Sequence, residues 1–156
     1  MKTDAEEMNK PKDKALLGAA GEYYVAFRLS AEGYAVGLTT HGTRLIDMFV
    51  ANPDTAKSIT IQTKTMENAF VRSKKYTPYW KWPVGKSRLK ARETFFYAFV
   101  DLKDDPSQTP DVFIVPSGEL ESLSAEFQGW VWCNGIDEET APRYLNRWHL
   151  IRDALA

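Results

Sequence analysis

With 156 residues, 44% of them hydrophobic and 13% aromatic, the chain can bury one core of ordinary size, so a single compact domain is the default expectation. Its one cysteine, Cys133, excludes an internal disulfide framework and any multi-cysteine zinc site. No apolar run approaches the roughly 18 residues of a membrane span, the polar opening MKTDAEEMNKPKDK does not read as a signal peptide, and a net charge of −1 excludes a general attraction to nucleic acid; a soluble, cytoplasmic protein is expected.

Residues 1–14 are charged and broken by Pro11, so they read as a mobile polar arm, with one domain over 15–156. From Leu16 to Glu32 the residues Leu16, Ala20, Tyr23, Tyr24, Phe27 and Ala31 recur at helical spacing and predict an inward stripe, with Gly33 at the C-cap. Gly18 and Gly21 inside that helix each cost about 1 kcal/mol relative to Ala, which suggests close backbone packing. A turn region with Gly33, Gly37 and Gly42 leads to a strand over 45–50, a turn at Asn52-Pro53-Asp54 and a second strand over 58–65, together a hairpin. Further strands are expected over 94–100, 112–115 and 130–133. Ser117 is placed to cap a short helix, and residues 144–155 predict a closing helix with Trp148, Ile151 and Leu155 inward. The order α-β-β-β-β-α-β-α describes a mixed α/β sandwich.

Two of these strands carry the residues suited to chemistry. Alternation places Thr60, Gln62 and Lys64 on one face of the 58–65 strand, with Ile59, Ile61, Thr63 and Thr65 on the other. In the preceding strand Asp47 is the one polar residue of an otherwise apolar run, and a carboxylate there needs a cation, supplied by Lys64, by a metal ion or by both. Phosphodiester hydrolysis needs a hard divalent ion on phosphate oxygens, a group that orients water, and positive charge for the developing oxyanion. Asp47, the Gln62 amide oxygen and the Thr63 backbone carbonyl offer oxygen ligands, Lys64 the positive charge, and Glu22 on the first helix a supporting or further ligating carboxylate.

Gly21-Glu22 in a first helix, then Ile46-Asp47, then Gln62-Thr63-Lys64 resembles the PD-(D/E)xK nuclease superfamily, in particular its Mrr-like and resolvase-like Gln-x-Lys members. The resemblance covers Ala15 to about Thr65. It implies a restriction endonuclease-like fold, a helix-first three-layer α/β/α sandwich around a central mixed sheet. It also implies a magnesium- or manganese-dependent DNA endonuclease of restriction, repair or junction-resolving type, with catalytic Glu22, Asp47, Gln62 and Lys64. Double-stranded or branched DNA is the implied substrate, and a homodimer is compatible with it. Two departures stand out: Ile46 replaces the usual proline, and Gln62 replaces the acidic ligand and so removes a negative charge. An inactive module of the same fold that binds nucleic acid or a protein partner is therefore the alternative reading.

The segment after the catalytic strand supports a nucleic-acid partner. Arg72, Lys74, Lys75, Lys81, Lys86, Arg88, Lys90 and Arg92 follow one another without an Asp or Glu, interleaved with Tyr79, Trp80 and Trp82, a mixture suited to neutralising phosphates and stacking on bases. The stretch from Asp101 to Glu139, by contrast, is heavily acidic. His41 and His149 have no ligand partner at metal spacing and receive no role.

Overall fold

The computed structural model describes residues 12–40 and 45–156; residues 1–11 of the arm, with His41 and Gly42, lie outside the described residues. Helix α1 (Lys14–Ala31) starts where the Asp13 carboxylate accepts the Ala15 N–H at 2.7 Å, which satisfies one of the open donors of a helix N-terminus. It ends at Gly33, whose φ of +95° turns the chain, with the Tyr34 N–H returned to the Leu29 carbonyl.

Strands β1 (Ala35–Leu38), β2 (Met48–Ala51), β3 (Ser58–Met66), β6 (Phe95–Asp101) and β7 (Asp111–Pro116) form a five-stranded mixed sheet in the order β1-β2-β3-β6-β7. β3 and β6 run parallel and the other neighbours antiparallel. The expected hairpin is present: β2 and β3 pair through Met48–Ile61 and Ala51–Ser58, and the Asn52 side chain accepts the Asp54 N–H to close the turn.

Strands β4 (Phe70–Val71), β5 (Tyr79–Gly85), β8 (Ser124–Phe127) and β9 (Trp130–Asp137) build a second sheet in the order β4-β5-β9-β8. Residues 79–85, in the middle of the basic segment, are thus strand, because Trp80, Trp82 and Val84 alternate inward. Pro83 sits between two irregularities of the β5–β9 pairing, where a missing N–H is tolerated.

The two cores show how the layers stack. Val25 and Leu29 of α1, and Trp148, Ile151 and Leu155 at and within the closing helix α2 (His149–Leu155), pack with Met48, Val50, Ile59, Ile61, Phe96 and Ala98 on one face of the first sheet. Phe95, Tyr97, Phe99, Phe113 and Val115 fill the other face together with Trp82, Val131 and Cys133 of the second sheet. The molecule is mixed α/β with a central mixed sheet, but the expected α/β/α layering is corrected to α/β/β: among the described residues both α-helices lie on one face and a sheet covers part of the other. The acidic, polar segment over 117–123 contributes two 3-10 turns instead of a helix, and Ser117 caps neither; its hydroxyl is engaged with the N–H and carbonyl of Arg92. No helix among the described residues is long and apolar enough to cross a membrane.

Of the stripe expected to face inward on α1, Tyr24 packs against the helix-side core, but most of the rest faces outward. Leu16, Tyr23 and Phe27 are 71%, 63% and 64% exposed, while Gly21, Val25 and Leu29 form the buried ridge. A Cβ on Gly21 would fall 1.8 Å from the Thr65 Oγ1, so the close approach read from the glycines is real at Gly21; Gly18, by contrast, has open space around it.

Candidate functional site

Asp47 stands one residue before β2, where the antiparallel ladder with β3 is about to end. Its N–H donates to the Ile61 carbonyl at 3.0 Å, and its Oδ2 accepts the Thr63 N–H at 2.6 Å. The side chain therefore accepts a β3 N–H just beyond the end of the β2 ladder, and this holds the carboxylate beside Gln62, Thr63 and Lys64. Thr39, just after β1, fixes the other side of that backbone: its N–H donates to the Asp47 carbonyl at 2.9 Å and its hydroxyl to the Ile46 carbonyl at 2.7 Å. Nothing in the residue pattern singled Thr39 out. Leu45, two residues before Asp47, has φ +94°, a conformation that strains any side-chain-bearing residue and is stored here beside the site.

Gln62 and Lys64 lie on the face of β3 turned away from the helices, as alternation predicts, because Ile59 and Ile61 belong to the helix-side core. Gln62 is 8% exposed, and its amide makes no side-chain hydrogen bond among the described residues. Burial pushes the Asp47 carboxyl above the usual carboxylate range, against the opposing pulls of the Thr63 N–H and the Lys64 charge. Burial likewise holds Lys64 below the usual lysine range, partly offset by Asp47. Among the described residues Lys64 closes no ion pair, so the two charges attract without neutralising one another at contact.

This donor set fits a hard cation. One carboxylate oxygen is committed to a backbone N–H, which leaves the other oxygen, the Gln62 amide and nearby backbone carbonyls as oxygen ligands around a partly buried charge. Among the described residues no three His, Cys, Asp or Glu side chains converge. An ion held here would keep several waters, as magnesium readily does. Glu22 approaches from the other side of the sheet: it is half-buried on α1 next to Gly21, which packs on Thr65 of the helix-side face. On that same face the hydroxyls of Thr63 and Thr65 are buried without a hydrogen-bond partner among the described residues.

The basic segment divides. Lys74 and Lys75 are exposed before β5, while Lys86, Lys90 and Arg92 are exposed after it, roughly 20 Å away along a seven-residue strand. Arg72 shares a groove with Lys103 and with Asp101, Asp111 and Glu138, and Lys103 is paired with Asp111, so the acids there outnumber the bases and oppose a phosphate partner. Arg88 is half-buried and donates to the Ser124 hydroxyl at 2.7 Å. The stacking role expected of the strand's tryptophans is corrected. Trp82 is fully buried with its indole N–H on the Val100 carbonyl at 2.9 Å, and Trp80 is packed between Phe70 and Phe113. Tyr79 is half-buried at the start of β5, and Lys81 lies over the ring of Trp132 on β9. No protein-family model, curated protein or solved structure matches the chain.

Proposed function

We propose that the chain is a metal-dependent DNA endonuclease whose site is built by Asp47, Gln62 and Lys64. The observation that carries this reading is the Asp47 carboxylate held on the Thr63 N–H at 2.6 Å, between two side chains able to ligate an ion and to supply positive charge. Further support comes from the helix-first order and the mixed sheet, which agree with a restriction endonuclease-like fold; the second sheet in place of a second helical layer departs from it.

The second Asp47 oxygen, the Gln62 amide oxygen and the Thr63 carbonyl would hold a magnesium or manganese ion. Such an ion draws charge from a phosphate oxygen and makes a coordinated water more acidic. Lys64 contributes positive charge toward the developing oxyanion, and its partial burial strengthens that interaction relative to bulk water. Asp47 orients the arrangement through its backbone bond, and the exposed lysines around β5 attract the DNA backbone.

Purified protein incubated with plasmid DNA should nick or linearise it with magnesium or manganese and not with EDTA. Cleavage by Lys64→Ala at the parent rate, or cleavage that persists in EDTA, would overturn the reading. The neutral Gln62 favours a second reading, a module of this fold that binds DNA without cutting it. It predicts DNA binding that survives Asp47→Ala, with no metal-dependent product.

A further inference from the structure

With Trp80 and Trp82 turned inward, the outer face of the second sheet carries a different set of rings. Trp132 on β9 stands opposite Pro83 of β5 and Ala125 of β8. In the next row Phe127 faces Trp130, both exposed, across a Gln128-Gly129 turn. The Lys81 ammonium lies 4.3 Å from the Trp132 ring centre. Trp132 and Pro83 also wall a cleft of about 400 Å³ that reaches Lys14, Thr65 and Met66. Of the two β3 residues that line it, Thr65 belongs to the helix side and Met66, two positions after Lys64, to the face that carries Lys64, so the cleft lies past the end of the candidate site along β3. Of the charges at its rim, Glu67 is paired with Lys12 at 2.7 Å, whereas Lys14 and Lys81 close no ion pair among the described residues.

We infer that this cleft is a nucleobase subsite, in which an unpaired base of the DNA strand passing Lys64 stacks on the Trp132 indole while Lys14 and Lys81 meet its flanking phosphates. A half-buried indole fixed by strand pairing is a flat platform that needs no ordering on binding, and every base offers it a π face. Two cations that close no ion pair among the described residues select an anionic polymer over a neutral sugar or an apolar peptide. Lys81 is positioned to exchange the ring face for a phosphate, since a cation–π contact at a solvent-accessible site is weak. Bases inside a duplex are already stacked on one another, so the subsite favours single-stranded or branched segments. It rests on the endonuclease reading for its place beside the reacting phosphate, but binding at Trp132 can be measured without cleavage.

The test is fluorescence anisotropy of the full chain in EDTA, with a labelled oligothymidylate and a labelled duplex of equal length, alongside plasmid cleavage in magnesium. Trp132→Ala should weaken the single strand roughly ten-fold or more and the duplex less than about two-fold, and Trp132→Phe should restore most of the loss. Lys81→Ala should weaken both ligands and lower the salt dependence by about one counterion. If the alanine variant fails to fold, Trp132→Leu, which keeps bulk but no π face, carries the same expectation. Unchanged single-strand affinity, or equal losses on both ligands, would overturn the subsite. Trp132-dependent binding without any cleavage would retain the subsite and sink the endonuclease reading. Cleavage with Trp132-independent binding would do the reverse.

Discussion

Strands β3 and β6 lie side by side in parallel register, Gln62 beside Tyr97 and Lys64 beside Phe99, yet they serve opposite ends. Every residue of β6 is buried, alternate side chains feeding the two cores in turn. One strand over, the same face carries an amide and an ammonium, because cover from the second sheet thins past β6 and the face of β2 beyond carries the exposed Phe49. The contrast locates stability in β6 and β7, and leaves β2 and β3 partly desolvated with charges that no direct partner among the described residues neutralises. Such groups are held against their own solvation preference, and this is where a ligand finds binding free energy.

The largest expected effect tests that division directly. Phe99→Ala should lower unfolding free energy by about 3–5 kcal/mol, measured by urea titration, since it empties space at the junction of Trp82 and Tyr97. Lys64→Ala, its register partner, should change stability by less than about 1 kcal/mol while removing cleavage by about a hundred-fold or more. Equal destabilisation by the two would erase the distinction between the strands. Next in size is an alkaline effect confined to the sheet–sheet core. Burial pushes the Cys133 thiol from 9.0 up to about 12, so above pH 9 the unfolded chain releases a proton that the folded chain keeps. Stability should then fall with rising pH by about 1.4 kcal/mol per unit until pH approaches 12. Cys133→Ala should flatten that slope, and Tyr97, also raised by burial, should leave a residual one above pH 10. An identical slope in parent and variant would show that the thiol is reached by solvent in the folded state.

A smaller pair of effects separates the two glycines of α1. Gly18→Ala should stabilise by about 1 kcal/mol, the ordinary helix preference for Ala, because open space surrounds it. Gly21→Ala should destabilise by about 1–2 kcal/mol, since overpacking against Thr65 outweighs the same preference. Thermal melts of both variants decide it: the same sign for both would mean that α1 does not press on β3 just past the site residues.

These glycines also mark where the sequence was legible and where it was not. Alternation on β3 assigned Ile59 and Ile61 to one face and Gln62 and Lys64 to the other, because a period of two leaves no second choice once one face is apolar. Periodicity on α1 gave the helix but not its buried side. The helix is apolar almost all round, and large rings at Tyr23 and Phe27 outweighed the smaller ridge of Gly21, Val25 and Leu29 that packs more closely. β5 escaped notice because lysine and proline at its outward positions mask the inward Trp80, Trp82 and Val84. The Trp132 platform was invisible for a related reason: which outer residues meet across strands depends on the pairing of distant segments, which local pattern does not encode. Asp47 was legible as an oddity in an apolar run, but its bond to the Thr63 N–H depends on β2 beginning only after it, at Met48.

That bond sets up the smallest and most discriminating expectation. Asp47→Asn retains an oxygen that can accept the Thr63 N–H, so the local backbone has no reason to move. What it removes is a charge that burial disfavours in the folded state, together with its attraction to a Lys64 that it does not contact. Desolvation is the larger of the two influences on Asp47, so without divalent ion the variant should be as stable as the parent or more so, by up to about 1 kcal/mol. With millimolar magnesium the order should reverse, because an ion bound only by the folded parent adds stability by mass action and the variant has lost its anionic ligand. Paired melts with and without magnesium measure both halves. A parent whose melting temperature ignores magnesium, or a variant destabilised in EDTA, would mean that Asp47 is a structural brace of β2 and that the contrast with β6 is one of degree.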